Sequence, residues 1–186
     1  MFGKRARMTL IPGGTSNADR ADNNRLRGVP STAAIMGHPI HPMLIPYPVA
    51  FLTTALATDI AARATGDRFW SRVSTWLLGA GLVSGAAAGA VGAIDYFMIR
   101  RAREKTVGKM HAYGNPVALG LAAASLALRR GDADRPPSPA AVATTGLMFA
   151  VLGVTAWAGA ELSYRHMVGV AGHNDQHTHR EKRYVA

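Results

Sequence analysis

Residues 73–99, VSTWLLGAGLVSGAAAGAVGAIDYFMI, form a run of 27 residues whose single charge, Asp95, stands near its end. A helix needs roughly 20 mostly apolar residues to cross the hydrocarbon core of a bilayer, and this run exceeds that length. Residues 43–64, 110–128 and 140–163 share its character, and each is long enough to span. The remaining polar residues are concentrated in two tails and short connections. Chain averages hide this segregation, since 48% hydrophobic residues and a mean hydropathy of +0.06 would suit many soluble proteins.

The connections are those of neighbouring antiparallel helices. Gly66-Asp67-Arg68-Phe69-Trp70 offers a turn with interface aromatics, residues 100–109 are basic, and residues 129–139 are proline-rich. Gly81, Gly85 and Gly89 recur every fourth residue, which sets them on one helix face and lets a neighbouring backbone come close within the bundle. The expected fold is all-α, an integral membrane antiparallel four-helix bundle over residues 36–170. It is flanked by a flexible basic tail, residues 1–35, and a polar tail, residues 171–186. No apolar core follows Lys4, Arg5 and Arg7 soon enough for a cleavable signal peptide, so the first membrane helix is expected to act as the insertion signal.

Orientation follows from lysine and arginine counts. With four spans, fifteen basic residues lie on the side of both tails and the second connection, against six on the other side. Both termini are therefore expected in the cytoplasm. The net charge of +10 and pI near 10.8 reflect this topology. No nucleic-acid motif accompanies the basic residues, which excludes a nucleic-acid partner and leaves the lipid bilayer as the expected surroundings.

The same topology gathers polar groups at one membrane face. His38 and His41 precede the first span in Gly37-His38-Pro39-Ile40-His41-Pro42, Asp95 ends the second, His111 opens the third, and Glu161 and His166 close the fourth. The prolines of the first motif are incompatible with an ordinary helix interior and predict a stiff, extended approach to the membrane. Asp95 has Arg100 and Arg101 as candidate partners, and Glu161 has Arg165 at four residues' spacing. At the opposite face stands Asp59, with Arg63 four residues on as its expected partner. Asn115-Pro116 predicts a kink one turn after His111, and Asn115 is a candidate to satisfy local backbone there. The histidines of the tail, His173, His177 and His179, read as part of a solvated polar segment.

Absence of cysteine excludes disulfides, thiolate-ligated iron–sulfur clusters and covalent c-type haem attachment. No nucleophile elbow, phosphate loop, zinc-protease helix or dinucleotide fingerprint is present, which disfavours a self-contained hydrolase or nucleotide-driven enzyme. Imidazoles converging from separate helices fit b-type haem. His111 and His166 are the expected metal ligands, with His38 or His41 as alternatives. Arg100, Arg101, Lys109 and Arg165 are available for propionates, and Asp95 and Glu161 would orient the imidazoles. Another redox metal is the alternative cofactor. The same residues also fit a cofactor-free polar layer that merely caps helices in an accessory subunit of a larger membrane complex.

Gly37-His38-Pro39-Ile40-His41-Pro42-Met43-Leu44-Ile45-Pro46-Tyr47-Pro48, Gly66-Asp67-Arg68-Phe69-Trp70, Trp76-Leu77-Leu78-Gly79-Ala80-Gly81, Ala93-Ile94-Asp95-Tyr96 and the stretch from Gly159 to Val170 resemble the bacterial four-helix membrane family catalogued as domain of unknown function twenty-two thirty-one. The resemblance covers residues 37–170. It implies a multi-pass protein of the bacterial cytoplasmic (inner) membrane. Relatives fused to Rieske-type iron–sulfur domains add, by association, an expectation of electron transfer with a protein partner.

Overall fold

A computed structural model describes residues 28–129 and 133–170 of the chain, and it is mostly helical. The expected tails therefore lie outside the described residues, except that residues 28–35 belong to the fold. They lead into a hairpin of two-residue strands, β1 (Ala34–Ile35) and β2 (His38–Pro39), paired antiparallel with Ala34 opposite Pro39 and Ile35 opposite His38. Its turn is Met36-Gly37, with φ of 50° and 80°. Two positive values in succession are the pattern of a tight hairpin turn, natural for Gly37 and uncommon for a residue with a side chain such as Met36.

Next come α1 (Ile40–Leu44) and α2 (Pro46–Thr65). Here the expectation of a wholly extended histidine–proline stretch fails. His41 and Pro42 lie in the first turn of α1, where backbone N–H groups have no intrahelical partner and proline removes nothing the helix uses. Helix α2 ends at Gly66, whose φ of 70° is the left-handed cap conformation. Helix α3 (Arg68–Met98) starts at once, with Asp67 Oδ1 accepting from the Phe69 N–H at 2.8 Å. The basic connection contains α4 (Arg100–Glu104), which is followed by α5 (Thr106–Ala127). Finally, α6 (Pro139–Tyr164) is capped by Ser138, whose Oγ accepts from the Ala141 N–H at 3.2 Å.

Three stretches, Ile40–Thr65, Arg68–Met98 and Pro139–Tyr164, are long and apolar enough to cross a membrane. Helix α5 is not among them; Lys109, His111, Asn115 and Pro116 make its first half polar. It nevertheless packs along α6 and against α3, while α2 packs along α3 and touches α6. The core these helices share is Leu52, Ala55, Leu78, Ala118, Ala122, Met148 and Leu152. Its alanines bring backbones close, and so do two of the three glycines expected to pack inside the fold. A Cβ on Gly81 would lie 2.4 Å from a Leu52 methyl, and one on Gly85 would lie 2.6 Å from a Leu119 methyl. Gly89 has nothing within 4 Å of that position.

A second cluster, Ile99, Ala102, Leu162 and Val168, closes the end where the described chain starts and stops. Val29 packs there and forms a parallel bridge with Val168: the Val29 N–H donates to Met167 O and the Gly169 N–H to Val29 O, both at 2.8 Å.

The opposite end holds a buried ionic knot. Asp59 is fully buried, and its partner is Arg129 of the segment after α5, not Arg63, which is exposed. The Arg129 Nη2 group donates to both Asp59 oxygens at 2.8 and 2.9 Å. Ser74 Oγ of α3 donates to Oδ1, and Thr145 Oγ1 of α6 donates to Oδ2 at 2.8 Å. Ser125 of α5 joins through Thr145 Oγ1 at 2.7 Å. The carboxylate thus takes donors from three separate segments. A buried charge persists only where it is paired and hydrogen-bonded, which explains why a partner 70 residues away displaced one four residues away.

Candidate functional site

Of the four histidines expected at one face, the structure brings together His41 and His111. Their rings lie edge to face, with centroids 6.0 Å apart and planes at 81°. Each ring is anchored to the backbone of a neighbouring helix. His41 Nδ1 lies 2.8 Å from Ala88 O on α3, and His111 Nδ1 lies 2.8 Å from Thr155 O on α6. A carbonyl oxygen only accepts, so Nδ1 is the protonated nitrogen in both rings. In a neutral imidazole of that tautomer, Nε2 carries the lone pair that binds a metal.

Two glycines make room for this. A Cβ on Gly92 would lie 2.7 Å from His41 Cε1, and one on Gly159 would lie 2.7 Å from His111 Nδ1. Real Cβ atoms do not approach that closely, so both rings occupy notches that only glycine leaves. Asn115 stiffens the same region: its Nδ2 donates to His111 O at 2.7 Å, and its Oδ1 accepts from Thr155 Oγ1 at 3.3 Å. Helix α5 continues through Pro116 while Asn115 ties the preceding turn to α6.

The other expected site residues are placed elsewhere. His38 is exposed on β2. His166 follows α6, its N–H donating to Glu161 O at 3.3 Å and its carbonyl accepting from Arg101 Nη1 at 3.4 Å. Among the described residues, no hydrogen bond or ring contact joins its imidazole to His111. Asp95 neither orients an imidazole nor pairs with Arg100 or Arg101 in these contacts. Its oxygens accept from Ser31 Oγ at 2.6 Å, Thr32 N at 2.7 Å, Thr32 Oγ1 at 2.8 Å and Ala33 N at 3.1 Å, fastening the lead-in segment to the end of α3. Glu161 accepts from Arg165 at 2.8 Å, as the spacing predicts, and Arg100 pairs with Glu104 at 2.5 Å. Both ion pairs are solvent-exposed.

The donor set limits what the site can hold. Among the described residues, no three histidine or acidic side chains gather as a metal site. A zinc ion, which takes three or four protein ligands, does not suit a bare pair of imidazoles. A haem iron does, because the porphyrin supplies its equatorial nitrogens and the protein supplies one or two axial ligands.

The family model described as "Predicted membrane protein (DUF2231)" matches residues 37–172, well over half of the chain. The chain belongs to this family. The DUF2231 match contains both paired histidines, both glycine notches and Asp95, and it starts at the hairpin turn glycine, Gly37. No curated protein and no solved structure matches the chain.

Proposed function

We propose that this DUF2231 protein is a membrane electron carrier in which His41 and His111 would hold b-type haem. The observation that carries the reading is the pinning of both Nδ1–H groups by backbone carbonyls. It leaves two Nε2 lone pairs on one close pair of rings, and a hydrogen bond at the far nitrogen is what fixes a ligating imidazole and raises its basicity. What supports the fit is two imidazole donors seated in glycine notches; Arg100 and Arg165, exposed cations in weak ion pairs, would be free to exchange their carboxylates for propionates. Bound haem would supply one-electron chemistry. The chain's own contribution is to hold both imidazoles in the ligating tautomer and to exclude water between packed helices, for exchange with a redox protein partner.

In this reading α5 is a fourth span, antiparallel to α6. The basic excess supports a histidine-bearing end and both termini on the cytoplasmic side of a bacterial inner membrane. A cofactor-free accessory subunit is the competing reading. It is favoured by the fact that the two rings already satisfy each other by packing and the helices by hydrogen bonding.

The test is to produce the full chain with ample haem, purify it in detergent, and record oxidised and reduced optical spectra with elemental analysis of the same sample. The expected result is a Soret band that His41→Ala and His111→Ala each abolish or shift and His166→Ala leaves intact. A sample with neither a Soret band nor stoichiometric metal would establish the cofactor-free reading.

A further inference from the structure

Beside the histidine pair, α5 and α6 part on their outer side to leave a groove of about 600 Å³. Its α5 wall runs from Thr106 to Val117 and its α6 wall from Ala150 to Thr155. The lining is almost wholly apolar, and its one charged side chain is Lys109, at the end where α5 begins. Among the described residues no acidic group pairs with Lys109, and Arg103 and Lys105 add positive charge nearby.

Dimensions and charge together select an occupant. From Thr106 to Val117 is eleven helical rises, about 16 Å, roughly half of a hydrocarbon core about 30 Å thick. The groove therefore starts at a basic surface and extends inward to about the depth of one leaflet. A soluble peptide would leave its backbone unsatisfied against such walls. We propose that the groove seats one acyl chain of an anionic phospholipid, with its phosphate on the Lys109 ammonium beside the Thr106 and Tyr113 hydroxyls. Apolar walls hold the chain without regard to headgroup, and Lys109 supplies the selection, as basic pockets between membrane helices do. The proposal rests on α5 lying in the bilayer beside α6 and on no cofactor, so it stands or falls independently of the optical test.

Native mass spectrometry of the full chain in detergent, titrated with phosphatidylglycerol or phosphatidylcholine, decides it. One phosphatidylglycerol per chain is expected to be retained, in clear preference to phosphatidylcholine. Lys109→Gln should weaken phosphatidylglycerol binding about five-fold, the worth of one basic residue near an anionic surface. Ala150→Trp, which fills the groove from α6, should abolish retention of both lipids; if that variant is misfolded by circular dichroism, Val117→Trp fills it from α5. Equal retention of the two lipids by the unaltered chain, or retention unchanged in Lys109→Gln and in a folded groove-filling variant, overturns the proposal.

Discussion

Replacing Arg129 by Met should be among the most damaging single substitutions in the chain, and replacing Asp59 by Leu in the same molecule should largely reverse it. Asp59 is fully buried and receives two contacts from Arg129, at 2.8 and 2.9 Å, besides those from Ser74 and Thr145. Removing the guanidinium strands a carboxylate away from water, at a cost of about 3–5 kcal/mol, and Asp59→Leu alone strands the guanidinium with a similar cost. In the double variant no charge is left. The hydroxyls that served Asp59 still have acceptors: Thr145 Oγ1 reaches Ala141 O at 3.0 Å, Ser125 Oγ reaches the same oxygen at 3.1 Å, and Ser74 Oγ reaches Ala55 O at 3.4 Å. The double variant should therefore recover at least about 2 kcal/mol of the loss, since apolar replacement of a whole buried ion pair is often neutral or stabilising. Reversible unfolding in mixed micelles, followed by circular dichroism across the four-member cycle, measures the coupling. Single substitutions costing less than about 1 kcal/mol, or costs that simply add in the double variant, would refute the assignment of this knot as an ionised and mutually dependent pair.

Three further outcomes follow from contacts described above. Gly92→Val and Gly159→Val should displace the His41 and His111 rings, which lie 2.7 Å from the new Cβ positions; any haem spectrum should be lost or shifted in each, whereas Gly89→Val, with open space around it, should preserve it. Asp95→Ala should free the segment before the hairpin: amide exchange at Thr32 and Ala33 is expected to rise by roughly ten-fold or more, because each loses a hydrogen bond to a charged acceptor worth about 1.5–3 kcal/mol, and unchanged exchange would show that the carboxylate does not hold that segment. The Arg72 guanidinium, hydrogen-bonded to Asp134, holds that carboxyl below its ordinary value near 3.8. A depressed pKa stabilises the fold above the unfolded value, and the contribution is lost as pH falls through the folded value. Thermal scans below pH 4 should accordingly show a slightly shallower loss for Asp134→Asn than for the unaltered chain, and the small difference should vanish in high salt because the pair is exposed.

The membrane character and the long helices were legible in the sequence because they rest on long-range composition: charge-free runs, a turn at Gly66-Asp67, and a proline-rich connection over residues 129–139. Side-chain partners were legible where both members share a helix turn, as Glu161 and Arg165 do. They were not where topology decides. Asp59 has Arg63 within local reach, yet it lies buried against Arg129, because only tertiary packing supplies a donor inside the fold. The histidine layer shows the same division. Span order alone predicts His41, His111 and His166 at one end, but that His41 and His111 meet depends on helix rotation and on bare backbone at Gly92 and Gly159. Those glycines were the available signal, and they were hidden among eighteen others of less consequence. The hairpin escaped notice because its strands are two residues long and its turn uses Met36 where glycine or asparagine is usual.

The bridge between Val29 and Val168 sets an order of events during biosynthesis. Val168 follows the last helix, so the segment around Val29, made first, has no mate until that helix has been synthesised and inserted. Until then Val29 lacks both backbone hydrogen bonds of the bridge and the Leu162 and Val168 members of its apolar cluster, and a nascent chain stalled before Pro139 keeps it so. Closure of the bridge consequently waits for the synthesis of α6.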